Sequence, residues 1–322
     1  MDGIFHFGYG GLENLSFGRV AVPAPGPGEV LVRVRAASLH LADCMMVRGR
    51  PWLVRAFSGW RNPVSPVPGT DLAGEVIAVG TGVRRFVVGD AVLGIGRGAC
   101  AEAALAPEHT LTHKPKGLSW QQAAALPTSG LAALHALRDA AKLTSGQHLL
   151  INGASGGIGC FAIQLAKHFG ARVTTVCSTS NLDLARNLGA DITLDYTWDD
   201  FTQRSEQFDV VLDNIENQPL KQACRALRPQ GLLILNSGRG SGFEFYTRLV
   251  KHLLMRRFLG RRICRYFSEP NPHDLEILAT LSARGHLRVI AGRTFRLAAV
   301  PAALAYVESG HVRGKAIIEV NC

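Results

Sequence analysis

The sequence lacks what a small cross-linked protein or a membrane-spanning one would need. Its seven cysteines, at 44, 100, 160, 177, 224, 264 and 322, are scattered, odd in number and without a CxxC pair. That spacing argues against a disulfide framework and against a four-cysteine structural zinc site. No apolar run approaches the roughly 20 residues needed to cross a bilayer, and the start, MDGIFHFGYGG, carries no signal-peptide pattern. Both absences point to a cytoplasmic protein. Aromatic residues make only 7% of the chain and form no strip interleaved with basic ones, so no nucleic-acid partner is expected.

What is present suits a globular protein. A length of 322 residues, with 47% apolar and 19% charged, is comfortable for two packed domains. The net charge of +10 favours anionic partners: a phosphorylated cofactor, a nucleic acid or an anionic membrane surface. Charge does not choose among them.

From residue 1 to about 118 the chain reads as short strands and Gly/Pro turns. Glu29–Ala36 alternates behind the turn cluster Pro25-Gly26-Pro27-Gly28, and Asp71–Val79 and Asp90–Ile95 are further strands. This predicts an all-β, barrel-like domain. From Ser119, a good N-cap, helices take over, and Gly130–Lys142 is rich in alanine and leucine. Strands at 148–152, 172–177, 191–194, 209–213 and 231–235 then alternate with helices at 158–169, 182–188 and 219–227. Such alternation predicts parallel βαβ units, a doubly wound sheet over 119–287. The end, with Gly314-Lys315 leading into the strand 316–320, is expected to rejoin the first domain, so that 288–322 completes 1–118.

The strongest motif is Asn152-Gly153-Ala154-Ser155-Gly156-Gly157-Ile158-Gly159, where Ala154, Gly156 and Gly159 keep the GxGxxG spacing. A strand precedes it and a helix opens directly behind it, the context a dinucleotide loop requires. Small residues let the backbone approach a pyrophosphate at a helix N-terminus, whose N–H groups and dipole favour anions. The next strand ends in Val176-Cys177-Ser178-Thr179-Ser180-Asn181, without the acid that grips the ribose 2′-hydroxyl of NAD. Hydroxyls and amides can bond a 2′-phosphate instead, so NADPH is the expected cofactor.

The run Gly146 to Gly159 resembles the signature of quinone oxidoreductases in the medium-chain dehydrogenase/reductase family. So do Leu188-Gly189-Ala190-Asp191 with Asp195-Tyr196, Val67 to Val76, Val88-Gly89-Asp90-Ala91-Val92, and Gly310 to Lys315. The likeness runs nearly end to end. It implies a GroES-like catalytic domain plus a Rossmann domain, an active site in the cleft between them, and a homodimer. It also implies pyrophosphate contacts at Ser155, Gly156, Gly157 and Ile158, with Ser178 and Tyr196 near the adenosine 2′-phosphate and Asn214 towards the nicotinamide. Relatives that prefer NADPH often carry a basic residue in the stretch where this chain has Ser180.

Zinc-dependent relatives take catalytic ligands from a Cys-His-Thr-Asp stretch and a His-Glu pair. The matching places here read His40-Leu41-Ala42-Asp43 and Thr70-Asp71, and Gly94–Pro107 holds only Cys100. No metal is expected. Without a Lewis acid to stabilise an alkoxide, the substrate should already be an electrophile: a quinone or an α,β-unsaturated carbonyl. His40 stands where this group carries asparagine. It either donates a hydrogen bond or proton to the substrate oxygen, or replaces the structural hydrogen bonds of the amide. Asp43 and Asp71 read as buried structural carboxylates, and Cys44 as a small core residue.

Two alternatives remain open at this level: an enoyl reductase of lipid or polyketide metabolism, and a cofactor-binding protein without turnover serving a structural or RNA-binding role. One further segment stands out, Tyr246–Phe267, with seven basic residues and no acid. Its apolar spacing predicts an amphipathic helix, which either touches an anionic membrane or packs on the protein itself.

Overall fold

The computed structural model describes residues 1–236 and 262–320. The chain divides into two compact units, Met1–Leu131 with Glu269–Cys322, and Ala132–Ser268. These boundaries differ from 118/119 and 287/288, where the composition changes. The short helix after Ser119 packs on the first unit's strands, and the helix Pro272–Ala283 packs on Leu111–His113.

The first unit begins with a hairpin of β1 (Asp2–Phe5) and β2 (Ser16–Arg19). β3 (Glu29–Leu39) follows, then the helices α1 (Leu41–Arg48) and α2 (Arg55–Ser58), and β4 (Asp71–Val79), antiparallel to β3. Next come β5 (Ala91–Ile95), β6 (Ala103–Pro107) and β7 (Leu111–His113). α3 (Trp120–Ala125) starts at a reciprocal cap, where Ser119 Oγ accepts from Gln122 N and Gln122 Oε1 accepts from Ser119 N. α4 (Pro127–His135) runs on into a π-helical turn, Ala136–Ala140.

The second unit is a six-stranded parallel sheet. In chain order its strands are β8 (His148–Asn152), β9 (Arg172–Cys177), β10 (Ile192–Asp195), β11 (Phe208–Asp213), β12 (Leu227–Leu235) and β13 (Arg262–Arg265). The spatial order is β10-β9-β8-β11-β12-β13, every pair parallel. β8 is buried along its whole length, as expected of a central strand covered on both faces. The connecting helices α5 (Gly157–His168), α6 (Leu182–Asn187) and α7 (Leu220–Arg225) lie within a residue or two of their expected spans.

β13 corrects one expectation. The basic segment 246–267 is not helical throughout: Arg262–Arg265 lie in register with Leu232–Leu235, with Ile263 buried. A strand there satisfies the edge of β12, which a helix would leave open. Residues 246–261 lie outside the described residues. No described helix is long and apolar enough to cross a membrane.

The chain then returns. β14 (Ala291–Arg296) pairs with β15 (Lys315–Glu319), and β15 pairs antiparallel with β3, completing a seven-stranded sheet in the first unit. Its core joins Ile4, Val32, Leu39, Leu72, Leu111 and Ile318.

At the centre of this closure lies a buried ion pair. Lys315 Nζ stands 3.2 Å from Asp71 Oδ2, with only 3% and 0% of the two side chains exposed. The same oxygen accepts from Ser38 Oγ at 3.2 Å, and Oδ1 accepts from the hydroxyl and N–H of Thr128 at 2.5 and 3.3 Å. Removing one partner of a buried pair leaves an uncompensated charge. Lys315→Met is therefore expected to lower unfolding free energy by about 3–5 kcal/mol, read by urea denaturation. A loss below about 1 kcal/mol, the worth of a surface pair, would refute this.

Candidate functional site

In the second unit, every predicted cofactor residue sits at or just beyond the carboxyl end of a parallel strand. The chain proceeds from β8 outward to β9 and β10, then crosses to β11 and on to β12 and β13. The strand order thus reverses between β8 and β11, where open α/β sheets bind ligands. Asn152 and Asp213 end these two strands in register, and Asn152 Nδ2 donates to Asp213 Oδ1 at 2.8 Å. The Asp213 carboxylate also accepts from the N–H groups of Ile215 and Glu216, at 3.1 and 2.8 Å. Burial pushes its carboxyl above the usual carboxylate range, and those donors pull the other way.

The glycine loop has the form a pyrophosphate needs. A Cβ on Gly159 would come within 2.5 Å of the carbonyl oxygens of Gly153 and Ala154, so only glycine lets α5 sit this close to the turn. At Gly156, by contrast, a Cβ would meet only Gly153 O at 3.6 Å. Gly156 is the N-cap of the 12-residue helix α5 and has no side chain to accept from its first turn. The N–H of Gly156 donates to Gly153 O at 3.3 Å, whereas those of the half-buried Gly157 and Ile158, beside Ser155, remain available to an anion.

Asn214 follows Asp213. Its backbone N–H donates to Asn152 O at 3.1 Å and its Oδ1 accepts from Asn236 Nδ2 at 3.1 Å. Its Nδ2 is buried and finds no acceptor among the described residues. A bound carboxamide would supply one. A dinucleotide fits this loop.

Ser178 and Tyr196 are brought side by side, because Tyr196 N–H donates to Cys177 O at 3.2 Å. Ser178 Oγ lies 2.9 Å from Asn181 Nδ2 and 3.3 Å from Ser180 Oγ, a small rim of hydroxyls and amide. Arg186, the next cation along the chain, pairs with Asp183 at 2.9 Å. One carboxylate here was not anticipated. Asp195 ends β10 in register with Cys177 and accepts from the Thr179 hydroxyl. The Thr179 hydroxyl, with the N–H and hydroxyl of Thr197, holds the Asp195 carboxyl below the ordinary range. Its lone pairs thus face these threonines. Tyr196 and Asn152 also line a cavity of about 240 Å³ with Asn217 and Phe201.

In the first unit, α1 begins at His40, which contributes both backbone and ring to one network. His40 N–H donates to Asp43 Oδ2 at 2.9 Å; its ring Nδ1 lies 3.4 Å from the same oxygen and Nε2 lies 3.0 Å from Thr70 Oγ1. Thr70 Oγ1 is in turn 3.4 Å from Asp43 Oδ1. Asp43 is fully buried; burial pushes its carboxyl up, against the pull of His40. Thr70 and Asp43 line a cavity of about 260 Å³, whereas His40 reaches it through Thr70. Gly69 makes the approach possible: its φ is +93°, and a Cβ there would strike Cys100 Sγ at 2.8 Å. Burial raises the thiols of Cys44 and Cys100, so both are inert core groups. His6, Ser58, Ser65 and Arg97 add to the polar part of the cavity, the guanidinium held by Glu29 at 2.5 Å. Thr70 and His6 gave no functional signal of their own in the sequence; Thr70 stood out only as an occupied ligand place.

The zinc-ligand places do not fit a zinc ion. Asp71 faces an ammonium, and the nitrogens of His40 lie against Thr70 and Asp43. Among the described residues no three His, Cys, Asp or Glu side chains converge as a ligand set.

Comparison with known proteins agrees with this geometry. Residues 26–136 match the alcohol dehydrogenase GroES-like domain and residues 188–318 match the zinc-binding dehydrogenase domain. A chloroplast envelope quinone oxidoreductase homolog of Arabidopsis thaliana is 32% identical over 326 residues, 96% of this chain and 95% of that protein. The 2-methylene-furan-3-one reductase of Solanum lycopersicum is 30% identical over 96% of this chain and 76% of its own. The solved quinone oxidoreductase of Coxiella burnetii superposes with a TM-score of 0.88 at 30% identity, covering 100% of this chain and 99% of that one. The chain therefore belongs to the quinone oxidoreductase-like branch of the medium-chain dehydrogenase/reductase family, and is an oxidoreductase.

Proposed function

We propose that the protein is an NADPH-dependent, metal-independent reductase of quinones or α,β-unsaturated carbonyl compounds. The observation that carries this reading is the occupation of the ligand places. Asp71 is committed to Lys315, Ser38 and Thr128, and His40 to Asp43 and Thr70. With those groups engaged, the substrate oxygen is activated by hydrogen bonding, which suits a carbonyl already electron-poor.

Ser155, Gly156, Gly157 and Ile158 would line the pyrophosphate, with the N–H groups of Gly157 and Ile158 donating to it. Ser178 and Tyr196 bind the 2′-phosphate, and Asn214 Nδ2 donates to the carboxamide. The reduced nicotinamide, when bound, supplies hydride to the substrate carbon. Negative charge then develops on the substrate oxygen, and Thr70 is the donor on the cavity wall that meets it. As an imidazolium, His40 donates from Nδ1 to Asp43 and from Nε2 to Thr70, and the Thr70 hydroxyl hydrogen turns from Asp43 Oδ1, 3.4 Å away, to the substrate oxygen. The proton passes from Thr70 to the oxygen and is replaced from His40, with solvent restoring the ring.

Kinetic comparison of the two cofactors tests the first part. NADPH should have the higher kcat/KM, and Ser178→Asp should weaken NADPH about 10–100-fold, because like charges would be juxtaposed. Equal kcat/KM for NADH and NADPH in the unmodified protein would rule this out. Metal independence predicts full activity after chelation; one zinc per active chain by elemental analysis would contradict it.

His40→Ala should cut kcat about 100-fold, the size of a general-acid contribution, with little change in NADPH affinity. His40→Asn should be almost as slow. An Asn variant with full activity would make the position structural, with solvent as the proton source.

A further inference from the structure

The cavity behind Thr70 has an apolar side that the reduction chemistry does not use. Met46 and Val47 of α1 form one wall, and Pro63, Val64 and Val67 form another. Its 260 Å³ lies below the usual range for small-molecule sites, about 300–1,000 Å³. A molecule larger than a compact head therefore extends outward along these walls.

The second wall is a built structure. The turn Ser58–Val64 is closed by Val64 N–H donating to Ser58 O at 2.7 Å, and both its ends line the cavity. Tyr9 secures its base, with its hydroxyl 2.9 Å from Ser58 Oγ and also donating to Gly59 O. Arg55 stacks over the Tyr9 ring at 4.5 Å and donates to Gly49 O at 3.0 Å. On this fixed base the turn presents Trp60 and Val64 to solvent beside the exposed Arg61 and Asn62. Val64 is 70% exposed, Trp60 is 60% exposed, and Trp60 meets Trp52 edge-on at 5.2 Å. Val64 lines the cavity and Trp60 stands in the same turn; exposed apolar side chains such as these gain free energy only when something apolar covers them.

We infer that Val64, Trp60 and the turn carrying them form a specificity wall for a hydrocarbon tail on the substrate. The favoured substrate is then an alkyl-substituted enone or quinone rather than a small unsubstituted one. This rests on the reading of the protein as a carbonyl reductase whose substrate oxygen is met by Thr70. Because the same cavity contains Thr70 and Val64, the reacting end and the tail belong to one molecule.

The test is NADPH-dependent reduction of 1-alken-3-ones of increasing length, from but-1-en-3-one through oct-1-en-3-one to dodec-1-en-3-one. Burying a methylene is worth about 0.8 kcal/mol in full, so kcat/KM should rise about two- to fourfold per methylene over the first several carbons. Trp60→Ser and Val64→Ser should each flatten the slope. The slope is a ratio within one preparation, so it is independent of how much of a variant folds. Turnover with no dependence on length, or an unchanged slope in both variants, overturns the tail wall while leaving the reductase reading intact. No turnover with any enone or quinone overturns the reductase reading, and this inference with it. A flat series together with Trp60-dependent sedimentation on anionic vesicles makes the rim a lipid contact and also overturns the proposal.

Discussion

One buried carboxylate organises the first unit. Asp71 gathers Ser38 from β3, Lys315 from β15 and Thr128 from the start of α4, so three segments far apart in sequence meet on one side chain. A carboxylate with no water around it must be satisfied by the protein, and each of these donors is there to satisfy it. The pairing of β15 with β3 is what delivers Lys315, so the charge pair forms only when the end of the chain has closed the sheet. Such a pair is weak as a source of stability, because desolvation offsets most of its attraction, but a single correct register satisfies it. The residue before Asp71 inherits that precision: Thr70 stands beside His40 and Asp43 because its neighbour in the chain cannot move.

The second unit solves a different problem, that of leaving backbone groups unsatisfied without collapse. The N–H groups at the start of α5 remain available because glycine stands where a capping side chain would otherwise accept from them. The helix is nevertheless held close, through Gly159, against the carbonyls of the turn. Beside it, Asn152 and Asp213 bond to each other and hold the loop that bears Asn214, so its orphaned amide nitrogen is positioned before any ligand arrives. Binding there then costs little ordering of the protein.

Much of this was legible beforehand, for identifiable reasons. The parallel strands and the glycine loop were visible because period, apolar runs and turn residues agree locally, and the observed spans of β4, β8 and β9 match those read from sequence. Elements set by tertiary partners were not. Arg262–Arg265 is a strand because β12 offers an edge, although its basic spacing continues a helical pattern. α1 is short and lies inside a region that otherwise reads as strand; its start at His40 and its left-handed end at Gly49 were the available signals. The helix Pro272–Ala283 has its own local signal in Asn271-Pro272, an N-cap followed by proline at N1, but the basic run before it carries a helical spacing that blurs where the element starts.

The site was harder to read than the fold, because its meaning lies in who is bonded to whom. His40, Asp43, Thr70 and Asp71 were all noticed as occupants of ligand places, yet the sequence does not say that His40 faces Thr70 while Asp71 faces Lys315. That division separates two neighbouring residues into different jobs. Asp71 is turned inward to Lys315 and holds the framework; Thr70 is turned outward to the cavity, with an imidazole and a carboxylate behind it. The same alternation of strand side chains that buries one residue exposes the next, so the framework and the hydrogen-bond donor are consecutive in the chain. A one-residue slip of β4 against β3 would exchange them, placing a carboxylate towards the cavity and a hydroxyl against the ammonium. The register of this sheet, set by the Ser38–Asp71 pairing, is therefore as much a condition of the proposed chemistry as the identity of any residue that takes part in it.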